Sequence, residues 1–260
     1  MKKFKEIQIK PLTKLSDLNH NVVASPPQIM IDIEDEEIRK EWEKFQKHNY
    51  QNPTNIQAIK KNNEDYISTP LKSSANRNKI WTFPEPDPIC IYYNIANNNL
   101  EESYNLKNKD IFNGQNHDTF KNYDIFSEYF GLTAQGIIFL ITTIEGFINQ
   151  FFIEEEYNIE GIKRKKGNLE YAKLGEKINT IIPKLSGVDF AKTNKSEYDR
   201  IMNTNDLRDD LIHLKRTNKS NNTAYQDLFK RLYDYNQFKN SEAVYRFLDT
   251  LKPNYFEIKK

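Results

Sequence analysis

The chain has 260 residues, 37% hydrophobic and 29% charged, with a formal net charge of +1. That length suits one large domain or a core domain with an extension, and near-neutral charge excludes a global pull toward nucleic acid, so any RNA contact must come from a local basic patch. A single cysteine, Cys90, excludes an intramolecular disulfide and a cysteine metal cluster, and fits a reducing compartment.

Met1-Lys2-Lys3 is basic but leads into no apolar run, so no secretory signal is expected and the expected location is the cytoplasm. Abundant Asn, Lys and Ile with few Gly is the codon bias of an AT-rich bacterial genome. Pro26-Pro27 blocks a continuous helix through the first thirty residues. The spacing predicts a helix over 34–49, with an acidic start at Glu34-Asp35-Glu36-Glu37 and apolar Ile38, Trp42 and Phe45 on one face. Residues 50–78 are polar and Asn/Lys-rich, which predicts a long loop or a mobile excursion with at most one short helix. Two β-rich runs follow, Ile80 to Phe83 and Ile89 to Ile95, around Pro84, Pro86 and Pro88. They predict a hairpin or a pair of edge strands, the second run ending at Asn97-Asn98-Asn99.

Phe130 to Ile153 is nearly all apolar, with Glu145 its only charge, and its length matches a membrane span. Glu145, Asn149 and Gln150 would be costly in lipid, and no basic residue lies close beside its start, so the centre of a helical bundle is expected and no membrane. Its polar residues Gln135, Thr142, Glu145 and Asn149 lie within a stripe of about 80°. That stripe is either an internal hydrogen-bonded network or one wall of a cleft, and both can hold. Lys163-Arg164-Lys165-Lys166, between Gly161 and Gly167, is the densest cationic cluster. It reads as a basic loop, either a solvated charge run or a set of contacts to an RNA backbone. Helices are expected at about 168–182, 196–216, 222–236 and 241–251, the last stopping before Pro253. Tyr225, Leu228, Phe229, Leu232 and Tyr233 form the apolar face of the third of these.

The segment Arg208-Asp209-Asp210-Leu211-Ile212-His213 suggests a reaction. On a helix, Leu207, Leu211 and Leu214 form an apolar stripe that Ile212 and Ile201 widen, and Arg208 falls inside it. A guanidinium there needs a carboxylate or phosphate partner because it cannot lose its proton. Asp209 and His213 sit one turn apart, where the carboxylate can set the imidazole tautomer. Other chemistries lack their residues: no phosphate-binding glycine loop, no dinucleotide fingerprint, no H-E-x-x-H and no clustered Cys/His set is present. Asp206, Asp209 and Asp210 point in different directions on a helix, so neither a metal site nor a cofactor is expected. His20, His48 and His117 lie in polar stretches and read as exposed.

The R-x4-H spacing with a polar residue after the arginine resembles the motif of the HEPN superfamily, helical bundles that include many metal-independent ribonucleases of toxin–antitoxin and phage-defence systems. The resemblance covers roughly residues 125–255 and includes the order of elements: a long apolar helix, the motif late in its own helix, then two shorter helices. It implies a mainly α chain, with an N-terminal extension carrying a small α/β elaboration over 1–124 and an up-and-down HEPN-like bundle over 125–260. It also implies RNA cleavage through a 2′,3′-cyclic phosphate. His213 would move the proton, Arg208 would hold the phosphate, Asp209 would orient His213, and Glu145, Asn149, Lys163, Arg164, Lys165, Lys166 and Lys215 would line the substrate path. A homodimer with one composite cleft is implied, as is an antitoxin or defence-system partner protein. Lys215 departs from the tyrosine found two residues after the histidine in the toxins paired with nucleotidyltransferase antitoxins, which removes the basis for regulation by tyrosine modification. The competing expectation is a non-catalytic dimerisation or RNA-binding scaffold, in which Arg208 pairs with Glu145 and His213 is a surface residue.

Overall fold

The computed structural model describes residues 31–32, 40, 57–61, 63–73, 79–108, 119–214, 223 and 225–253. They are mainly helical, and they divide into two compact units, one within Lys10–Asp87 and one running from Pro88. The helix expected over 34–49 lies outside the described residues except at Lys40, which is helical.

The first unit holds a four-stranded sheet of β1 (Ile31–Asp32), β2 (Gln57–Lys61), β3 (Glu64–Ser73) and β4 (Lys79–Pro84), in that order. β1 runs parallel to β2, and the remaining neighbours are antiparallel, with Ile59 opposite Tyr66 and Trp81 opposite Leu71. Residues 57–61 and 64–73 are therefore strands and not the expected loop. Asn63, at φ 62°, makes the turn between β2 and β3, a left-handed conformation that asparagine tolerates. Ile80 to Phe83 is a strand as expected, but it pairs with β3 and not with residues 89–95.

The second β-rich run is instead helical, part of α1 (Pro88–Leu106). Pro88 suits a first helical position, where a missing N–H costs nothing. Buried Ile89, Cys90, Tyr93, Ala96, Asn97, Leu100 and Ser103 then recur with helical period across Asn97-Asn98-Asn99. α1 packs along α2 (Thr119–Asn149), the long apolar helix, which begins earlier and ends sooner than its apolar run. The two helices pack tightly at Gly136, where an added Cβ would lie 2.5 Å from Leu100 Cγ and 3.3 Å from the Ala96 carbonyl oxygen.

α2 is long and apolar enough to cross a membrane. In the bundle its Ile137, Leu140, Ile141, Ile144, Phe147 and Ile148 are fully buried. They face α1, α7 (Lys195–His213), α8 (Gln226–Tyr233) and α9 (Gln237–Leu251). Buried tyrosines pin this packing: Tyr93 Oη donates to the Ser241 carbonyl at 3.1 Å, and Tyr129 Oη donates to the Leu232 carbonyl at 2.8 Å. α9 starts four residues earlier than expected because the Asn236 side chain caps it, accepting from the Lys239 N–H at 3.0 Å.

Between α2 and α7 the chain first makes a hairpin, β5 (Glu156–Ile159) and β6 (Ile162–Lys165), turning at Glu160 and Gly161 with both φ positive. The helix expected over 168–182 is broken. It comprises α3 (Lys166–Glu170), α4 (Leu174–Glu176), a π-helical turn at Lys177–Ile181 and α5 (Ile182–Ser186), which Gly187 ends in a left-handed cap. The wide turn ends two positions before Pro183, which has no N–H for the regular helical ladder. α6 (Phe190–Thr193), capped by Asp189, leads into α7.

Candidate functional site

α7 carries the motif. Ile201, Leu207 and Leu211 are buried and seat the helix against the bundle. The expected apolar stripe stops there: Ile212 and Leu214 are 51% and 50% exposed. The helix ends at His213 because Leu214 turns to φ 25°, its N–H still reaching the Asp210 carbonyl at 3.0 Å.

Arg208 points at α2. Its Nη2 donates to Glu145 Oε1 at 2.6 Å and its Nη1 donates to Asp209 Oδ1 at 2.8 Å. The Arg208 side chain keeps 20% of its surface exposed, Glu145 37% and Asp209 48%. Asp209 therefore holds Arg208 and not His213, correcting the expected orienting role, because the guanidinium beside it carries a full charge and stronger hydrogen bonds. His213 is exposed and makes no hydrogen bond or ion pair among the described residues. It lies five positions beyond Arg208, which places it about 140° around the helix.

The polar stripe of α2 divides along its length. Gln135 is exposed and accepts from Asn99 on α1 at 3.4 Å, and Thr142 bonds back to its own helix at the Ile138 carbonyl. One turn apart further along the same stripe, Glu145 and Asn149 reach Arg208 and Lys177 respectively.

Lys177 is a member of this cluster that sequence reading missed. It is only 3% exposed, in the π-helical turn, and its Nζ donates to the Glu170 carbonyl at 2.6 Å and to Asn149 Oδ1 at 3.3 Å. Burial pushes its ammonium below the ordinary lysine range, while the negative charges of Glu145 and Glu170 pull the other way. A signal existed: Leu174, Ile178, Ile181 and Ile182 recur with helical period, and Lys177 lies on that apolar face.

The cationic cluster is strand β6 and the start of α3 rather than a loop. Arg164 is tied to Glu176, the residue before Lys177, whereas Lys163 and Lys165 are exposed. Lys166 is partly exposed and Lys215 lies outside the described residues. On another flank of α7 a cleft of about 340 Å³ is lined by Arg200, Asn203, Arg231, Tyr235, Asn236 and Asn240, among others; neither Arg208 nor His213 lines it. Among the described residues no cluster of three His, Cys, Asp or Glu side chains is placed to hold a metal ion.

The structure thus brings together Arg208, Asp209, Glu145, Asn149 and Lys177, and it leaves His213 alone at the helix end. Comparison with known protein families, with curated proteins and with solved structures finds no match to this chain.

Proposed function

We propose that the chain is a metal-independent endoribonuclease of HEPN type. The observation that carries the proposal is the state of the two motif residues on one helix. Arg208 is held in place by two carboxylates that use two of its five N–H donors, and His213 stands exposed with no partner among the described residues. The remaining donors suit a phosphodiester oxygen, and an exposed imidazole nitrogen can take or give a proton. The order of elements, a long apolar helix, the motif helix and two shorter helices, supports the same reading.

In this mechanism His213 takes the proton of a ribose 2′-OH and the oxygen attacks the adjacent phosphorus. The bond to the 5′-oxygen breaks, that oxygen leaves with a proton, and a 2′,3′-cyclic phosphate remains. Arg208 stabilises the added charge on the phosphate oxygens. One histidine cannot sit on both sides of the phosphorus at once, so a second copy supplies the acid through its own His213, and the unit is a two-fold homodimer. Ile212 and Leu214, exposed on either side of His213, provide the apolar rim of that contact. Lys163 and Lys165 add backbone contacts to the RNA, and the biological setting is a toxin–antitoxin or phage-defence system with its partner protein.

One observation favours a second reading, a non-catalytic dimerisation or RNA-binding scaffold: both carboxylates occupy the Arg208 fork and make it a latch between α2 and α7. Incubating the purified protein and its His213→Ala and Arg208→Lys variants with RNA in excess chelator separates the two. Cleavage lost in both variants supports the enzyme, and binding without cleavage by any of the three supports the scaffold.

A further inference from the structure

Lys177 poses a physical problem that the motif alone does not. Lys177 is only 3% exposed, yet its hydrogen bonds go to two neutral oxygens, and among the described residues no carboxylate lies within ion-pairing distance. A buried cation without a counter-charge is costly, and a methionine of similar size would avoid that cost. Of the two carboxylates whose charge attracts it, Glu145 acts more strongly than Glu170, and its carboxylate is committed to Arg208. Glu145 and Asn149 share one face of α2, so the residue that Lys177 touches and the one that attracts it are a single helical turn apart. The lysine also sits on a π-helical turn, a local widening that is common at functional sites.

We propose that Lys177 is the exchange partner of Glu145: when a phosphodiester takes the Arg208 fork, the Glu145 carboxylate leaves Arg208 and turns to the Lys177 ammonium. The inference rests on the reading of Arg208 as a phosphate-binding residue. Without Lys177, an incoming phosphate would meet a carboxylate with nowhere to go, and the two anions would repel each other in a half-buried site. With Lys177, the departing carboxylate gains a cation as it loses one, and the one unsatisfied charge in the resting cluster is satisfied in the bound one. Lys177 is on this account a positioning residue that acts through Glu145 and does not itself touch RNA.

A double-mutant cycle tests it. In a His213→Ala background, which removes turnover, dissociation constants are measured for a single-stranded RNA oligonucleotide and, separately, for inorganic phosphate read as thermal stabilisation. Lys177→Met should weaken both ligands about tenfold, which is about 1.4 kcal/mol, while Glu145→Gln should tighten both because the anion no longer competes with the Glu145 charge for Arg208. In the Glu145→Gln background the effect of Lys177→Met should shrink below threefold, a coupling that a purely structural lysine would not produce. Circular dichroism checks each fold, and Lys177→Gln replaces the methionine variant if that one does not fold. Equal effects of Lys177→Met in both backgrounds overturn the exchange. Coupling seen for phosphate with no RNA binding keeps the exchange and removes the RNA reading, and failure of the parent to bind either anion overturns the exchange.

Discussion

Replacing Glu145 with Gln keeps the shape of the side chain and removes the charge that faces Arg208. An exposed ion pair contributes about 0.2–1 kcal/mol, whereas opening one side of a fully buried pair costs about 3–5 kcal/mol. Arg208 and Glu145 retain 20% and 37% side-chain exposure, so the pair falls between these limits. The amide oxygen still accepts a neutral hydrogen bond, and Asp209 still neutralises the guanidinium from 2.8 Å away. Lys177, in contrast, loses its main electrostatic attraction. Together these give a loss of about 1–2 kcal/mol, which for a chain of this size lowers the melting temperature by roughly 3–6 °C. Differential scanning calorimetry at pH 7 reads this directly, with Asp209→Asn as a control. That carboxylate is half exposed and adjacent in sequence to Arg208, so its loss should cost under about 0.5 kcal/mol. A Glu145→Gln melting temperature at or above the wild-type value would refute the assignment of Glu145 and Arg208 as a latch between α2 and α7.

Two glycines of α2 should behave oppositely. Gly131→Ala meets no atom within 4 Å and should stabilise by about 0.5–1 kcal/mol, whereas Gly136→Ala drives a methyl into Leu100 and should destabilise by about 1–3 kcal/mol; urea titration compares them. Burial raises the phenol pKa values of Tyr93, Tyr235 and Tyr129 above the ordinary 10.0, so these groups hold their protons more tightly folded than unfolded. Stability should therefore be lost as pH rises above about 10, and ultraviolet titration should show these tyrosines ionising only as the fold opens. Light scattering at micromolar concentration should give a mass near twice the 30.9 kDa of one chain, and Ile212→Asp should halve it without lowering the melting temperature of the monomer. A wild-type monomer would count against the composite cleft.

The motif helix and the long apolar helix were legible because helical period and burial agree in them over many turns. The run from Ile89 to Ile95 misled because five β-branched and aromatic residues among seven outweigh helical period in a short window; the period appears only when Leu100 and Ser103 are included. Residues 57–73 misled for the opposite reason. Their strands are rich in Lys, Glu, Asp and Ser, so hydrophobicity gave no alternation to read, and the pairing that holds them is between backbones. In the site, Arg208 in an apolar sector announced its need for a carboxylate, and Glu145 was a candidate as the only charge on its helix. The lean of Asp209 toward Arg208 was not legible, because one helical position offers both Arg208 and His213 within reach. Lys177 escaped notice because a lysine is ordinarily an exposed residue, although helical period places it on the apolar face of Leu174, Ile178 and Ile181.

RNA cleavage with metal chelated, analysed for the chemistry of the new ends, tests the central claim most directly. The account predicts fragments ending in a 2′,3′-cyclic phosphate opposite a 5′-hydroxyl, produced by the wild-type dimer and abolished in His213→Ala. Because His213 is exposed and without a partner among the described residues, the variant should melt at the wild-type temperature. Cleavage of equal rate by purified His213→Ala protein, or fragments with other ends, would contradict it.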